Sequence, residues 1–423
     1  MKRIGIGFVL SAVVLASLLS LSLSGCKGRE KYVNVDRKKF PDEVMYEAAR
    51  AKDTDHDTKL SQAEIESATS ILIEGAKDLK GLDVFTNLES ITIRDGENMK
   101  YDFKHFTNLR SLSIEGTWSS NRIDLSGNTK LEKIKITSKN LKELVLPEGA
   151  PLKEFTLSRS LLKGIDLSSY KGLQKVHIET NDNMTELDFR DFPELVDLTV
   201  SANKILYTLN VSNCPKLTTL DVNFNNLANL NISGCSNIEK LTCAWNKNLT
   251  SLDVAAFTKL TVLECDKNKI AALDLSKCPE LTRLVCYENC LTSLDLSYTP
   301  KLKELYCTDN DLTELDVSCC PEITNLSCCR CSLTKLNFAG CDKITTLICY
   351  DNKLTSLDIT HCAGMRWLLC SGNNLTTPDI SKCPKLVDLM KTADRDEKKE
   401  GRVKYEDGDI RMLEFDKDIE VIK

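Results

Sequence analysis

Apolar side chains recur along this chain at a long, fixed interval. The pattern Leu-x-x-Leu-x-apolar, with Ile or Met sometimes in first place, starts at Leu88, Leu109, Leu131, Leu152, Leu173, Leu195, Leu217, Ile238, Leu260, Leu281, Leu302, Ile323, Ile344, Met365 and Leu386. Consecutive starts lie 21 or 22 residues apart, and always 21 from Leu260 onward. Within a unit, Leu284 and Cys286 alternate with Arg283, Val285 and Tyr287, the period of a strand with one face turned inward. A single winding of this length cannot bury its own leucines, whereas stacked windings share one continuous core. The periodicity therefore predicts a parallel sheet of about fifteen strands, roughly 67 Å long at ~4.8 Å per strand. The second half of each unit, as in Leu294-Asp295-Leu296-Ser297, also alternates. That predicts a second, narrow extended column in place of an α-helix.

A late unit reads Leu302-Lys-Glu-Leu305-Tyr-Cys307-Thr-Asp-Asn310-Asp-Leu312. Asn203, Asn225, Asn246, Asn268, Asn289, Asn310, Asn352 and Asn373 form a column just after the strands, and Cys331 takes that slot once. A side-chain amide there can satisfy turn groups that no ladder pairs. The pattern resembles the leucine-rich repeat, LxxLxLxxN/CxL. The resemblance implies a mainly β solenoid over residues 81–390, with parallel strands on the concave face and short extended segments on the convex face. The recurring Asp253, Asp274, Asp295, Asp316, Asp358 and Asp379 read as turn caps acting on their own backbone; a cation ladder is the alternative.

The ends of the chain differ from its middle. Met1-Lys2-Arg3 precedes an apolar run from Ile4 to Leu23, closed by Leu23-Ser24-Gly25-Cys26. Small residues followed by Cys resemble a bacterial lipobox, which implies a signal peptide over 1–25 and lipidation of Cys26; the alternative is an uncleaved membrane anchor. A tether over 26–39 follows, with six basic and two acidic residues from Lys27 to Lys39. Extended, it reaches about 45 Å. It reads either as a segment lying against anionic headgroups or as a solvated linker.

Residues 40–80 read as a helical N-terminal cap around Asp53-Thr-Asp55-His-Asp57-Thr58-Lys59-Leu60-Ser61-Gln-Ala-Glu64. This segment resembles an EF-hand loop. The resemblance implies structural calcium held by Asp53, Asp55, Asp57, the Lys59 carbonyl, Ser61 and Glu64; an acidic turn without a metal is the alternative. Thr58 stands where the family has Gly for a left-handed turn, at a cost of about 1–2 kcal/mol, so modest affinity is expected. Phe40-Pro41-Asp42-Glu43 looks like a helix start, and Glu64 opens a second helical pattern through Ile65, Ala68 and Leu72. At the other end, 391–423 turns charged and reads as a cap. Val403 to Tyr405 and Ile410 to Phe415 flank Asp407-Gly408 as a hairpin would. The order of calcium loop, Cys-rich repeats and strand-like tail resembles bacterial surface leucine-rich-repeat lipoproteins, distantly akin to internalin-like adhesins.

Charge and cysteine usage narrow the function. The 423 residues carry 56 Lys and Arg against 62 Asp and Glu, a net charge of −6. Removing the leader's Lys2 and Arg3 leaves 54 against 62, or −8, the wrong sign for neutralising phosphates, which excludes a nucleic-acid partner. Of nineteen cysteines, Cys243, Cys265, Cys286, Cys307, Cys328, Cys349 and Cys370 fill one inward column. Cys214, Cys235, Cys278, Cys320, Cys341, Cys362 and Cys383 fill another. Parallel neighbours ~4.8 Å apart do not converge as a disulfide requires, so the columns read as small buried hydrophobes; disulfide or metal use is the alternative. Cys290, Cys319 and Cys329 fall outside the columns and are the candidates for reactivity. GxSxG, P-loop and HExxH patterns are absent and the four histidines are scattered, so no enzyme is expected.

Outward strand positions change along the array. Early units place Arg94, Glu115, Lys135, Glu154, Lys175 and Glu179 there; late units place Phe224, Trp245, Val285, Tyr287, Tyr306, Ile348, Tyr350, Trp367, Leu369 and Met390. Aromatic and aliphatic groups on an open face mark an interaction site, with Trp245, Tyr287, Tyr306, Tyr350, Trp367 and Leu369 as candidate anchors. The alternatives are scattered surface apolars or cover by the tail. The expected function is that of a lipid-anchored, cell-surface binding or adhesion protein taking a protein partner on its concave face. A cell-envelope scaffold without a specific ligand, or glycan binding along the aromatic strip, are the competing readings.

Overall fold

The computed structural model describes residues 31–99, 101–118, 121–377, 379–392, 402–405 and 411–416. The leader, Cys26 and the first part of the tether lie outside the described residues, as does the Asp407-Gly408 turn. Fifteen parallel strands form one open sheet, from Ser70–Glu74, Ser90–Met99 and Ser111–Trp118 through to Thr346–Ile348 and Trp367–Leu369. No ladder joins its two ends among the described residues. Neighbours pair in step, so that Leu241, Leu263, Leu284, Leu305, Leu326, Leu347 and Leu368 stand in a single row. That row is buried. The convex side carries short parallel pairings, such as Glu186–Asp188 with Thr208–Asn210 and Glu314–Asp316 with Lys335–Asn337, joined by extended backbone.

Asp42 starts the first helix, Glu43–Arg50, by accepting the amides of Val44 and Met45 at 2.9 and 3.2 Å. Its other oxygen accepts the Lys77 amide at 2.9 Å, tying the helix to the chain that enters the sheet. Phe40 packs against Phe85 with ring centroids 6.4 Å apart, which makes the core of the helical segment continuous with that of the coils. Gly81 turns beneath Phe40 at φ 97°; a Cβ there would lie 2.4 Å from the ring.

Two expected elements differ. The second helix ends at Ser67, and Ser70–Glu74 is a strand in register with Ser90–Arg94. Leu72, which fitted a helical spacing, therefore points to solvent while Ile71 and Ile73 go inward. β-branched residues beside an open sheet edge favour the pleat over a further helical turn. At the far end, the unit at Leu386 is the helix Pro384–Thr392 and not a strand. Pro384 suits a first helical position, and Leu386, Leu389 and Met390 present one apolar face. Met390, expected on the open face, is buried. The next sheet position is filled by Arg411–Glu414, parallel to Trp367–Leu369 and antiparallel to Arg402–Tyr405. This pair extends the sheet edgewise.

Candidate functional site: the open face, its rim and the entry loop

From Asn181 onward every coil but one is closed by its column asparagine. Asn246 Nδ2 donates to the carbonyls of Val222, Cys243 and Ala244 at 2.9, 3.0 and 3.3 Å, and its Oδ1 accepts the Leu227 amide at 3.1 Å. These groups are buried and belong to no ladder, so the amide is what allows the turn to enter the core. Cys331 reproduces half of this: its Sγ donates to Cys307 and Cys329 carbonyls at 3.3 and 3.2 Å. A thiol sulfur is only a weak acceptor, and the Leu312 amide has no protein acceptor among the described residues.

The two thiol columns are buried, and all eighteen cysteines of the described residues are free. In the convex column Cys214, Cys235 and Cys341 donate to Phe189, Val211 and Val317 carbonyls at 3.1, 3.0 and 3.2 Å. Burial pushes the thiols of Cys278 and Cys383 up to about 11 and that of Cys370 up to about 12. Cys290 and Cys319 are exposed, whereas Cys329, expected among the reactive ones, is buried with its thiol pushed up.

On the open face the late coils carry half-buried aromatics beside charged neighbours. Arg283 bridges Glu264 and Glu304 and lies 5.1 Å from the centroid of Tyr306. Arg330 pairs with Asp309 at 2.5 Å, donates to the Tyr350 hydroxyl at 2.7 Å and lies 5.4 Å from its ring centroid. Lys267 sits 3.8 Å from the Trp245 ring centroid and 5.8 Å from that of Tyr287. Burial and a hydrogen bond with Asp266 push the Tyr287 hydroxyl up to about 12. Trp367 and Leu369 lie half-buried on the last strand of the repeat, Leu369 beside Ile348 and Glu414. Val285 departs from expectation. It is 6% exposed, because it stands between Glu264 and Tyr306 in the sheet row that Arg283 spans.

At the entry loop, carboxylate oxygens of Asp53, Asp55 and Asp57 lie within 4.8 Å of one another. Asp53 accepts the Thr58 amide at 2.9 Å, and both His56 and Thr58 are left-handed, at φ 60° and 66°. Glu64 faces the same loop; Thr54 and Ser61 donate to its two oxygens at 2.6–2.9 Å, which holds its carboxyl down at about 2. An all-oxygen set of this geometry suits a hard divalent cation. Lys59–Leu60 pairs antiparallel with Val33–Asn34, Val35 is buried and Arg37 lies on the Tyr46 ring, so this part of the expected tether packs on the cap and is not a free linker.

A family model described as Leucine Rich repeat matches residues 213–230. The functional domain of InlJ from Listeria monocytogenes, which includes a cysteine ladder, superposes with a TM-score of 0.72 at 25% identity, over 84% of this chain and 79% of that one. The internalin InlF of the same species gives 0.54 at 20% identity, over 84% and 95%. No curated protein matches the chain. The fold is the leucine-rich-repeat solenoid. Among the described residues, no helix is long and apolar enough to cross a membrane.

Repeat logic missed one feature of this solenoid. The residue before each column asparagine is left-handed: Thr180, Ala202, Phe224, Trp245, Lys267, Glu288, Asp309 and Asp351 have φ between 48° and 66°, as does Arg330 before Cys331. That turn aims each amide at the next coil, as in Ala202 N to Asn223 O, Phe224 N to Ala244 O and Trp245 N to Asp266 O, at 2.9–3.0 Å. Side chains of the column consequently stack along the rim. Phe224 lies on Trp245 at 5.6 Å and 25°, Trp245 on Lys267, and Lys267 pairs with Glu288 at 3.3 Å. No residue type at this register position signals it, because Phe, Trp, Lys and Arg ordinarily take negative φ.

Proposed function

We propose that this protein is a lipid-anchored, surface-exposed binding or adhesion protein that takes a protein partner on the concave face of its late coils. The row of half-exposed aromatics at Tyr287, Tyr306, Tyr350 and Trp367, with Leu369, carries the reading; Trp245, expected among them, stands instead in the rim turn between Phe224 and Lys267. A rigid core fixes this row, so little side-chain entropy is lost on association, and a few aromatic anchors supply the affinity. The neighbouring cations are already paired with carboxylates, so attraction rests on packing rather than on long-range charge. The likeness to InlJ and InlF supports a binding role, and the lipobox-like Cys26 supports the anchor. At the entry loop, Asp53, Asp55, Asp57 and Glu64 would hold calcium with the Lys59 carbonyl and Ser61. Bound there, the ion staples the cap over the first coil's apolar edge.

The lipid-free ectodomain, immobilised against envelope and host extracts, tests the reading. Tyr287→Ala, Tyr306→Ala and Trp367→Ala should each weaken capture of the same partner about tenfold or more with melting unchanged. Capture that survives all three contradicts a concave-face anchor row and favours the scaffold alternative. Chelation should lower the melting temperature of the cap; an unchanged value contradicts the calcium role.

A further inference from the structure

We propose that the outer face of Phe224, above Ala202, is a platform for a neutral pyranose ring. The rim stack ends there. Trp245 is enclosed, with Phe224 on one side and Lys267 on the other, but Phe224 is 54% exposed because the next residue of the column is Ala202. Ala202 shares the backbone conformation of its neighbours, φ 56° against 58° and 60°, so its missing side chain is a missing rung. The residue beyond, Thr180, stands two coils from Phe224, about 9.6 Å at the spacing of parallel strands. One ring stacked at a centroid distance of about 4.5–7 Å fills that gap.

Stability does not account for the arrangement. Bulky residues at left-handed φ are strained, by about 1–2 kcal/mol each, and the column accepts a glycine at Gly372, φ 66°. A strained aromatic at Phe224, held against solvent, points to a contact made with something else.

The rim of the gap selects the ligand chemistry. The hydroxyls of Thr180, Thr199 and Ser201, and Nδ2 of Asn223, make no hydrogen bond among the described residues. All four are half-exposed; Thr180, Ser201 and Asn223 adjoin the gap by register, and Thr199 lies two residues further up the strand from Ser201. A pyranose presents C–H groups on its face and hydroxyls around its edge, which matches an apolar platform bordered by unused donors and acceptors. A partner's aromatic side chain would cover those groups and leave them unpaired. Glu179 and Asp221 also border the gap, which disfavours an acidic sugar. This subsite does not depend on the protein partner proposed above.

Ligand-observed saturation-transfer NMR on the ectodomain, with neutral tetrasaccharides of glucose, galactose, mannose and N-acetylglucosamine, tests the assignment. At least one should bind with an affinity of about millimolar, and both Phe224→Ala and Ala202→Phe should weaken it about tenfold or more, in protein that still unfolds in one cooperative transition. Ala202→Phe fills the missing rung and removes nothing, so its loss of binding cannot come from a lost contact. Failure of every tetrasaccharide to bind, or binding that survives both substitutions, overturns the proposal. A tyrosine-containing peptide blocked by Ala202→Phe where no sugar binds would make the platform part of a protein interface and overturn it equally.

Discussion

The early and late coils are built on one register but close differently. From Lys133–Thr137 to Asp197–Ser201 the strands have five residues, with Ile136, Leu157, Ile178 and Val200 in the second inward place. From Thr219–Asp221 onward they have three, and from Cys243 that place holds a thiol. The asparagine explains the change. Asn181 and Asn203 donate within their own coil to Glu179 and Ser201, two residues back, whereas Asn225 and its successors reach three back, to Val222, Cys243 and Cys265. Taking that carbonyl draws the turn inward and ends the strand sooner. A sulfur fills the narrower corner that results, where a branched aliphatic side chain would not. The faces diverge as well. Early coils show paired charges such as Lys135 with Glu115, worth little individually, while late coils show aromatics.

The largest expected break in this comparison is at the asparagine. Asn246→Ala orphans buried carbonyls and the Leu227 amide and should cost about 3 kcal/mol or more in urea unfolding, against about 1 kcal/mol for Ser160→Ala in an early coil. Equal effects would mean that the two halves close alike. Exchanging the inward residues comes next. Cys286→Ile should overpack the late corner by about 1–3 kcal/mol. The reverse exchange, Ile136→Cys, should leave a cavity costing about 1–3 kcal/mol. A smaller change has the opposite sign. Cys331→Asn restores an acceptor for the Leu312 amide and should raise stability by about 1 kcal/mol, measured by the same unfolding midpoint.

Much of this was legible because burial repeats. Leu284 and Cys286 declare their orientation through fourteen other units with the same spacing, so fold class, strand direction and the inward columns follow from the period. Single-copy segments gave weaker signals. Leu72 fits a helical stripe and a strand equally well, and only the neighbouring edge of Ser90–Met99 decides between them. The unit at Leu386 keeps the apolar spacing yet folds as a helix, because its residues satisfy that period too. The left-handed rim was hidden for a different reason: Phe, Trp, Lys and Arg carry no sequence mark of positive φ, so the Phe224–Trp245 stack emerges from tertiary register alone.

The smallest effect is expected at the cap, on which the coils are founded. Thr54 and Ser61 hold the Glu64 carboxyl at about 2, below its ordinary 4.5. A depressed carboxyl stabilises fully above the ordinary value and less as pH falls through the depressed one. Cap melting should therefore weaken between about pH 4.5 and pH 2 in the wild type and not in Glu64→Gln.

The central claim is that equal coils turn their sulfur and aliphatic rows inward and leave the hollow face free for contact. Counting thiols with a chromogenic disulfide reagent on the ectodomain lacking Cys26 tests it most directly. Native protein should yield two rapidly reacting groups, Cys290 and Cys319, and unfolded protein eighteen. Many fast groups in the native state, or fewer than about ten after unfolding, would contradict buried columns of free thiols.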